Sequence, residues 1–271
     1  MSNSHTTSCS SCDFEKSYEQ SKLPIMREVE ASVLGSDYGG TSWTTLAQAR
    51  QIAEKLSLGP GVNHLEVGSG SGWPGLYLST LSGCGVTLVD IPMIALEMSR
   101  LRAQRDGLQN KTHSIMASGT NLPFRKSAFD TVGHSDVLCC LAEKSEMLSE
   151  CKRVLHTSGQ MLFSVISIKP GISGSDYLRA VEAGPPFIEV KSAYENLLAD
   201  CGWKIMERLD VSEEHARSLE ALVENMTVRE AEMAAALGQE ELMDQKQRRM
   251  VQIAVIRAGL MQREIFHVRP V

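Results

Sequence analysis

Short apolar segments alternate with amphipathic ones through the centre of the chain. The apolar segments are bounded by turn-forming residues, which is typical of buried strands, and the segments between them repeat apolar residues at helical spacing. Because alternating strands and helices require crossover connections, the pattern predicts an α/β protein with an open, mostly parallel sheet covered on both faces. The predicted strands are 63–67, 85–90, 112–117, 129–138 and 160–168.

An amphipathic helix is predicted before this core, within residues 43–61. Thr41 or Ser42 is available as its N-cap, and the run from Gly59 to Gly61 ends it. Its apolar face comprises Leu46, Ala49, Ala53 and Leu56.

The pattern changes after Lys169. Glycines and prolines predict loops over 171–186, and a helix, a strand, a long helical segment and a last strand are then predicted over 192–202, 203–211, 212–259 and 263–271. Because the helical segment lies between two strands, we expect it to form a cap inserted over the edge of the sheet. Its methionines are candidates for an adaptable apolar roof, although plain packing is the commoner role of methionine at helical spacing; they are Met226, Met233, Met243 and Met250. The basic cluster of Lys246, Arg248 and Arg249 is expected on a solvated helix face.

Composition and charge are those of a soluble globular protein, with 271 residues of which 42% are hydrophobic and 22% charged. The net charge of −6 gives no electrostatic footprint for phosphates, so we expect no nucleic acid partner. No apolar run approaches the roughly 18 residues that cross a bilayer, and the N-terminus is polar where a signal peptide is apolar. We therefore expect a cytoplasmic protein without a membrane partner.

The cysteines predict neither a disulfide framework nor a metal site. Seven is an odd number, and the chain is long enough to build its own core, so reduced thiols are expected. Cys9 and Cys12 form a lone CxxC in a Ser-rich segment, and no second pair lies at ligand spacing. We expect no bound metal and a flexible leader there.

The strongest motif is a glycine-rich run that follows the first predicted strand, from Gly68 to Gly75. Alternating glycines let the backbone turn tightly and approach a ligand closely, and the loop aims free N–H groups at it. Asp90 ends the second predicted strand, where a carboxylate can accept from both hydroxyls of a ribose.

These two features leave the cofactor open. The run from Gly70 to Gly75 also spells GxGxxG, so an NAD(P)-dependent oxidoreductase explains the glycines and Asp90 as well. The acidic Glu66, two positions before the first glycine, and the Phe-Asp pair that opens the fourth strand favour another class.

The series LEVGSGSGWPGLYLS, VTLVD, LPFRKSAFDTV and ECKRVLHTSGQMLFSV resembles the ordered motifs of class I S-adenosylmethionine-dependent methyltransferases, over about residues 60–168. The segment IFHVRP is similar to that family's antiparallel last strand. The resemblance implies a Rossmann-like, seven-stranded, mostly parallel sheet in one domain. Its segments are a flexible leader (1–17), N-terminal cap helices (18–58), an S-adenosylmethionine-binding core (59–168), and the rest of the sheet with inserted substrate-cap helices (169–271).

The resemblance also implies a cofactor site. Glu66 and the backbone of the glycines hold the methionine part, and Asp90 holds the ribose. The family commonly has an acidic residue beside the adenine where this chain has Ser118. The implied cofactor-binding residues are Glu66, Gly68, Ser69, Gly70, Gly72, Trp73, Asp90, Ile91, Ser118, Gly119 and Ser135.

The end of the fourth strand is the predicted catalytic region. His134 and Asp136 share one face if the strand continues, so Asp136 is a candidate to lie near the sulfonium or orient an amine, and His134 is a candidate base. Packing of His134 and a helix cap at Asp136 are the alternatives. The stretch from Ser135 to Leu141 resembles that of phosphoethanolamine and glycine/sarcosine N-methyltransferases, with Cys140 where those relatives have His.

The segment from Leu34 to Trp43 resembles the glycine-rich segment by which those relatives close over cofactor and substrate. Tyr38 and Trp43 are therefore candidate substrate-binding residues, through contact of their rings with a cation, although anchoring of the first helix is an equal alternative.

The predicted function is transfer of a methyl group from S-adenosylmethionine to a small-molecule acceptor, with nitrogen slightly favoured over oxygen or sulfur. The rival functions are an NAD(P)-dependent oxidoreductase, a non-catalytic S-adenosylmethionine-binding protein, and a protein or RNA methyltransferase, which the missing basic patch disfavours. The acceptor and the oligomeric state stay open.

Overall fold

A computed structural model describes residues 11–38 and 42–271 of the chain. These residues form one seven-stranded sheet in the order β3-β2-β1-β4-β5-β7-β6. The first five strands pair in parallel, and β7 runs antiparallel to both of its neighbours, as the sequence predicts. The strands are β1 (Asn63–Val67), β2 (Gly85–Asp90), β3 (Thr112–Met116), β4 (Phe129–Ser135), β5 (Leu155–Ile168), β6 (Trp203–Asp210) and β7 (Met261–Pro270).

Helices cover both faces of the sheet. No helix in the described part is long and apolar enough to span a bilayer. The helices are α1 (Ser11–Ser21), α2 (Pro24–Leu34), α3 (Leu46–Lys55), α4 (Gly75–Ser82), α5 (Met93–Arg105), α6 (Lys144–Val154), α7 (Gly174–Ala183), α8 (Tyr194–Asp200), α9 (Ser212–Val228), α10 (Glu230–Leu237) and α11 (Gln239–Arg257).

Apolar side chains of the central strands form a buried core. Leu65 of β1 pairs with Val132 of β4, which pairs with Met161 of β5, and all three side chains are fully buried. The strand order reverses between β1 and β4. In open α/β sheets a crevice forms outside the carboxyl ends of the strands at such a reversal, and this is where ligands bind.

Several N-terminal predictions need correction. Helix α1 begins at Ser11, so the flexible leader expected through residue 17 is wrong for residues 11–17. Cys9 and the candidate cap Thr41 lie outside the described residues, as does the side chain of Cys12. Helix α3 is capped by Thr45, whose side chain accepts from the N–H of Gln48 in a reciprocal capping box.

Two elements after β3 also differ from the prediction. The region expected to be loops contains α7, which buries Ala180 and Ala183. The glycines and prolines that flank this helix led the sequence analysis to predict loops instead. Strand β4 ends at Ser135 because Asp136 adopts a left-handed backbone conformation, with φ of 57°. His134 and Asp136 therefore do not share a strand face.

The three helices between β6 and β7 form the helical segment that the sequence predicts there, but the positions of their side chains differ from the prediction. Met226 and Met233 are buried against Ile25 and Val29 of α2. None of the four methionines lines the main cavity in the described part, so the apolar roof is wrong. Arg249 packs over the ring of Trp43, 5.1 Å from its centre, so it does not belong to a solvated face.

Candidate active site

A cavity of about 720 Å³ lies at the carboxyl ends of the parallel strands. This is within the range of small-molecule and cofactor sites. The loops after β1 to β4 line it, together with the end of β5 and the segment 185–187. Helix α1 adds Phe14 and Tyr18, which sequence analysis did not connect with the site because they lie far from the motifs in the chain.

The glycine loop takes the left-handed backbone conformation, which favours glycine, at Gly68 and Gly70. Gly68 and Gly70 have φ of 66° and 52°. A Cβ on Gly68 would collide with Val137, and one on Gly70 would lie 2.8 Å from the hydroxyl of Tyr18. The loop is held by N–H donation from Gly68 and Ser69 to the carbonyl of Val89, at 2.8 and 3.0 Å.

Two hydroxyls of this loop lack an internal partner. The Oγ atoms of Ser69 and Ser71 are buried, and neither has a hydrogen-bond partner among the described residues. Both residues line the cavity. Because buried hydroxyls are normally hydrogen-bonded, this pair points to a polar ligand in the cavity.

Asp90 lies beside the loop at the cavity wall. Its carboxylate accepts from the N–H of Gly70 at 2.6 Å and from the N–H of Ile91 at 2.7 Å. Burial raises the pKa of Asp90, while the two N–H groups act in the opposite direction. Each carboxylate oxygen has a further lone pair for a ligand hydroxyl.

The structure brings most of the predicted cofactor residues to one wall. Ser118 and Gly119 follow β3, and the Ser118 hydroxyl lies 2.7 Å from that of Thr120. Trp73 donates from its indole to the carbonyl of Thr44 at 2.7 Å. The predicted residues that line the cavity are Gly68, Ser69, Gly70, Trp73, Asp90, Ile91, Ser118, Gly119 and Ser135.

Glu66 and Gly72 do not line this cavity. The Glu66 carboxylate is buried and lies 3.0 Å from Nε2 of His64, whose Nδ1 lies 2.9 Å from the hydroxyl of Thr131. The N–H of Gly72 donates to the carbonyl of Ser69 at 2.9 Å and closes the loop. Both residues support the wall, and their direct contact with the cofactor stays a prediction.

Of the two candidate substrate-binding aromatic residues, one lines the cavity and the other does not. Tyr38 does not line the cavity, because its ring packs against Trp73 at 4.9 Å and under the guanidinium of Arg102 at 4.0 Å. Trp43 does line the cavity, with His215 at its edge, 5.1 Å away. Gly39, Gly40 and Thr41 of the same segment lie outside the described residues.

Asp136 forms a buried ion pair that sequence analysis missed. Nε of Arg263 donates to Oδ1 at 3.0 Å and Nη2 donates to Oδ2 at 2.9 Å. Arg263 is 1% exposed and also donates to Gln48 and Ser164. Burial alone would raise the pKa of Asp136, but the charge and hydrogen bonds of Arg263 hold that pKa below its ordinary value. Asp136 is therefore a fixed anion at the cavity wall.

His134 does not have the environment of a catalytic base. Its ring stacks on Phe163 at 4.6 Å, and neither ring nitrogen has a hydrogen-bond partner within the described chain. Burial lowers the pKa of His134 to about 3. Burial, followed by the charge of Arg263, likewise lowers the pKa of His215 to about 3. The prediction of His134 as a base is therefore wrong.

These buried histidines predict acid destabilisation. Between pH 6.5 and 3 the unfolded chain binds a proton at His134 that the folded chain does not, so the free energy of unfolding falls as pH falls through this window. From pH 6.5 to 5 the loss from one such histidine is about 2 kcal/mol. We expect the loss of stability between pH 7.5 and 5, measured by urea unfolding, to be smaller by this amount in His134→Phe. The matched control is His113→Phe at an exposed position, and an equal loss in His134→Phe and wild type would contradict the prediction.

Comparison with known proteins agrees with the motif series. Residues 65–163 match the methyltransferase domain family. This match, over about a third of the chain, agrees with the class I S-adenosylmethionine-dependent methyltransferase, the Rossmann-like fold and the cofactor that the sequence predicts.

Individual relatives are more distant. The chain is 26% identical over 198 residues to a glycine/sarcosine/dimethylglycine N-methyltransferase of Actinopolyspora halophila, which covers 70% of this chain and 34% of the relative. It is 26% identical to methyltransferase GfsG of Streptomyces halstedii, over 60% of each chain. The chain thus spans between a third and three fifths of the length of these relatives.

A solved structure shares the fold along most of the chain. Haemonchus contortus phosphoethanolamine N-methyltransferase 2, in complex with phosphomonomethylethanolamine and S-adenosylhomocysteine, superimposes with a TM-score of 0.80. The superposition covers 96% of this chain and 60% of the Haemonchus contortus chain, and the two sequences are 15% identical.

Proposed function

We propose that the protein transfers a methyl group from S-adenosylmethionine to a nitrogen atom of a small-molecule acceptor. The observation that carries the proposal is the joint position of Asp90 and the glycine loop on one cavity wall, with the Ser69 and Ser71 hydroxyls left without partners. A dinucleotide-dependent oxidoreductase shares the loop and the acidic residue, but the matched domain favours the methyltransferase.

The cavity wall fits the cofactor. In the proposal Asp90 accepts from the ribose hydroxyls, the loop N–H groups and the two serine hydroxyls bind the methionine part, and Ile91, Ser118 and Gly119 contact the adenine. When bound, S-adenosylmethionine would supply a methyl group on a sulfonium: the acceptor atom would bond to the methyl carbon in line as the carbon–sulfur bond breaks, and S-adenosylhomocysteine would leave. Methyl transfer of this kind depends mostly on alignment and on exclusion of water.

The groups near β4 support nitrogen as the acceptor atom. A hydroxyl acceptor profits from a nearby base, whereas an amine needs only to have lost its proton. The pKa values of His134 and His215 are lowered to about 3, and Asp136 is engaged by Arg263. In the proposal His134, His215 and Asp136 position the acceptor and exclude water from it. The acceptor gives its proton to solvent.

This arrangement predicts a pH profile set by the acceptor. Because neutral amine is the reactive form, kcat/KM should rise with pH up to the pKa of the free amine. Two acceptors whose amines differ in pKa should show inflections that differ by the same amount, measured by steady-state kinetics between pH 6 and 10. An inflection that stays near pH 6.5 for both would instead indicate a base on the protein.

A screen with isotope-labelled S-adenosylmethionine tests the function and names the acceptor together. The full chain is incubated with a fractionated pool of small metabolites, and transfer of labelled methyl is followed by mass spectrometry. We expect label on a nitrogen of one small molecule, with one equivalent of S-adenosylhomocysteine formed. Tight cofactor binding with no label in any fraction would favour the non-catalytic alternative. Label in protein or RNA only would contradict the proposed acceptor class.

We also propose a cytoplasmic location, supported by the cysteines Cys84, Cys139 and Cys151, which are free and buried in the described part of the chain.

A further inference from the structure

The strand order divides the cavity into two halves. One half is lined by the segments after β1, β2 and β3, with Gly68, Asp90 and Ser118. The other half is lined by the segments after β4 and β5, by residues 185–187 and by Trp43. Because the first half carries the groups assigned to the cofactor, the second half faces the acceptor.

The acceptor half combines large apolar side chains with the carboxylates that follow β4. Its large side chains come from Trp43, Leu141, Ile166, Pro185 and Phe187. The N–H of Phe187 donates to the carbonyl of Cys139 at 3.0 Å, which ties the segment 185–187 to the end of β4. Burial of apolar surface is therefore the main attraction that this half offers.

The charge of the cavity has one sign. Four carboxylates line it, from Asp90, Asp136, Glu143 and Glu146, and the described residues that line it include no Lys, Arg or His. Arg263 compensates Asp136 from beneath the wall. An acidic group on the acceptor would thus lose its hydration without gaining a cation of the wall as a partner. This desolvation is unfavourable.

Three cations contact residues that line this half, and each has other partners. Lys144 donates to the carbonyls of Leu141 and Phe187, at 2.8 and 2.7 Å. Arg263 is bound to Asp136, Gln48 and Ser164. Arg249 packs over the Trp43 ring, and its Nη1 donates to Gln252 at 2.9 Å. Its Nε is buried without a partner among the described residues, but Arg249 does not line the cavity.

We infer that the acceptor is a lipophilic amine that carries no carboxylate, sulfate or phosphate. This rests on the proposed function and narrows it to a substrate class. An apolar body fits the walls of the acceptor half, and a protonated amine meets a cavity whose carboxylates outnumber its cations. The names of the relatives contain sarcosine, which carries a carboxylate, and phosphomonomethylethanolamine, which carries a phosphate. This chain would therefore differ from those relatives in the class of its acceptor.

Matched pairs of amines and amino acids test the inference by binding. The full chain is saturated with S-adenosylhomocysteine and titrated calorimetrically with tryptamine and tryptophan, phenethylamine and phenylalanine, and 3-methylbutylamine and leucine. Each pair differs by one carboxylate. We expect the amine to bind at least tenfold more tightly in at least one pair and no amino acid to bind more tightly than its amine. Equal or tighter binding of the amino acids, or no binding of any amine, would overturn the inference.

A variant with a cation in the acceptor half gives a second readout. Leu141→Arg should reduce the amine preference at least tenfold, whereas Leu141→Gln should retain it. The Kd of S-adenosylhomocysteine reports whether each variant is folded. An unchanged preference in Leu141→Arg would overturn the inference. Arg249→Gln should leave the wild-type preference unchanged, and loss of amino acid binding in that variant would reveal an anion site and overturn it as well.

The two levels of the proposal fail differently. If S-adenosylhomocysteine does not bind the wild-type chain, the proposed function fails and the inference fails with it. If it binds and the amino acids are preferred, only the acceptor class is wrong.

Discussion

Replacing Asp90 with alanine should weaken the binding of S-adenosylhomocysteine at least tenfold. The carboxylate is assigned to the ribose hydroxyls, and each charge-assisted hydrogen bond contributes roughly 1.5–3 kcal/mol. The substitution also removes the acceptor for the N–H groups of Gly70 and Ile91, so the loop loses an internal support. The Kd is measured by isothermal titration calorimetry.

Two further variants separate these contributions. Asp90→Asn retains one oxygen, so its Kd should fall between those of wild type and Asp90→Ala. Glu97→Ala, at an exposed position on α5, is the matched control for loss of a nearby carboxylate and should leave the Kd unchanged. A wild-type Kd in Asp90→Ala would discard the ribose assignment.

Replacing Arg263 with methionine should produce the largest loss of stability. It leaves the Asp136 carboxylate buried without its cation, and breaking a buried ion pair in this way costs about 3–5 kcal/mol. It also removes the bonds to Gln48 and Ser164, which join α3 and β5 to the end of β4. The free energy of unfolding is measured with urea at pH 7.5.

A double-mutant cycle identifies the cause of that loss. Asp136→Asn neutralises the carboxylate, and asparagine tolerates the left-handed conformation of residue 136. The double variant Arg263→Met with Asp136→Asn should lose less stability than the two single losses added together. Strict additivity would show that the pair does not interact. In Asp136→Asn alone, turnover should fall more than affinity for S-adenosylhomocysteine, and unaltered turnover would remove Asp136 from the proposed site.

The order of strands and helices could be predicted from sequence because it depends on local patterns. The alternation of apolar and amphipathic segments needs no knowledge of distant contacts, and the motif series adds the antiparallel last strand. The glycine loop and Asp90 could be found for the same reason, since each directly follows or ends a predicted strand. Sequence could therefore predict that the glycine loop and Asp90 lie together at one wall of the cavity.

The acceptor half depends on contacts between distant parts of the chain. The partner of Asp136 is Arg263, more than a hundred positions away, and its polar neighbours Gln262 and Glu264 gave no sign in the sequence that it is buried. Tyr38 was a candidate for the cavity, but Arg102 holds it elsewhere, and Tyr18 of α1 lines the cavity instead. Local periodicity cannot determine such pairings, because they are fixed by how the helices pack on the finished sheet.

A parallel titration of the full chain with S-adenosylhomocysteine and with reduced nicotinamide adenine dinucleotide tests the central claim most directly. Trp43 and Trp73 line the cavity, so their fluorescence reports its occupancy. We predict saturable quenching by S-adenosylhomocysteine that the reduced dinucleotide does not displace. Saturable binding of the dinucleotide with no response to S-adenosylhomocysteine would contradict the account.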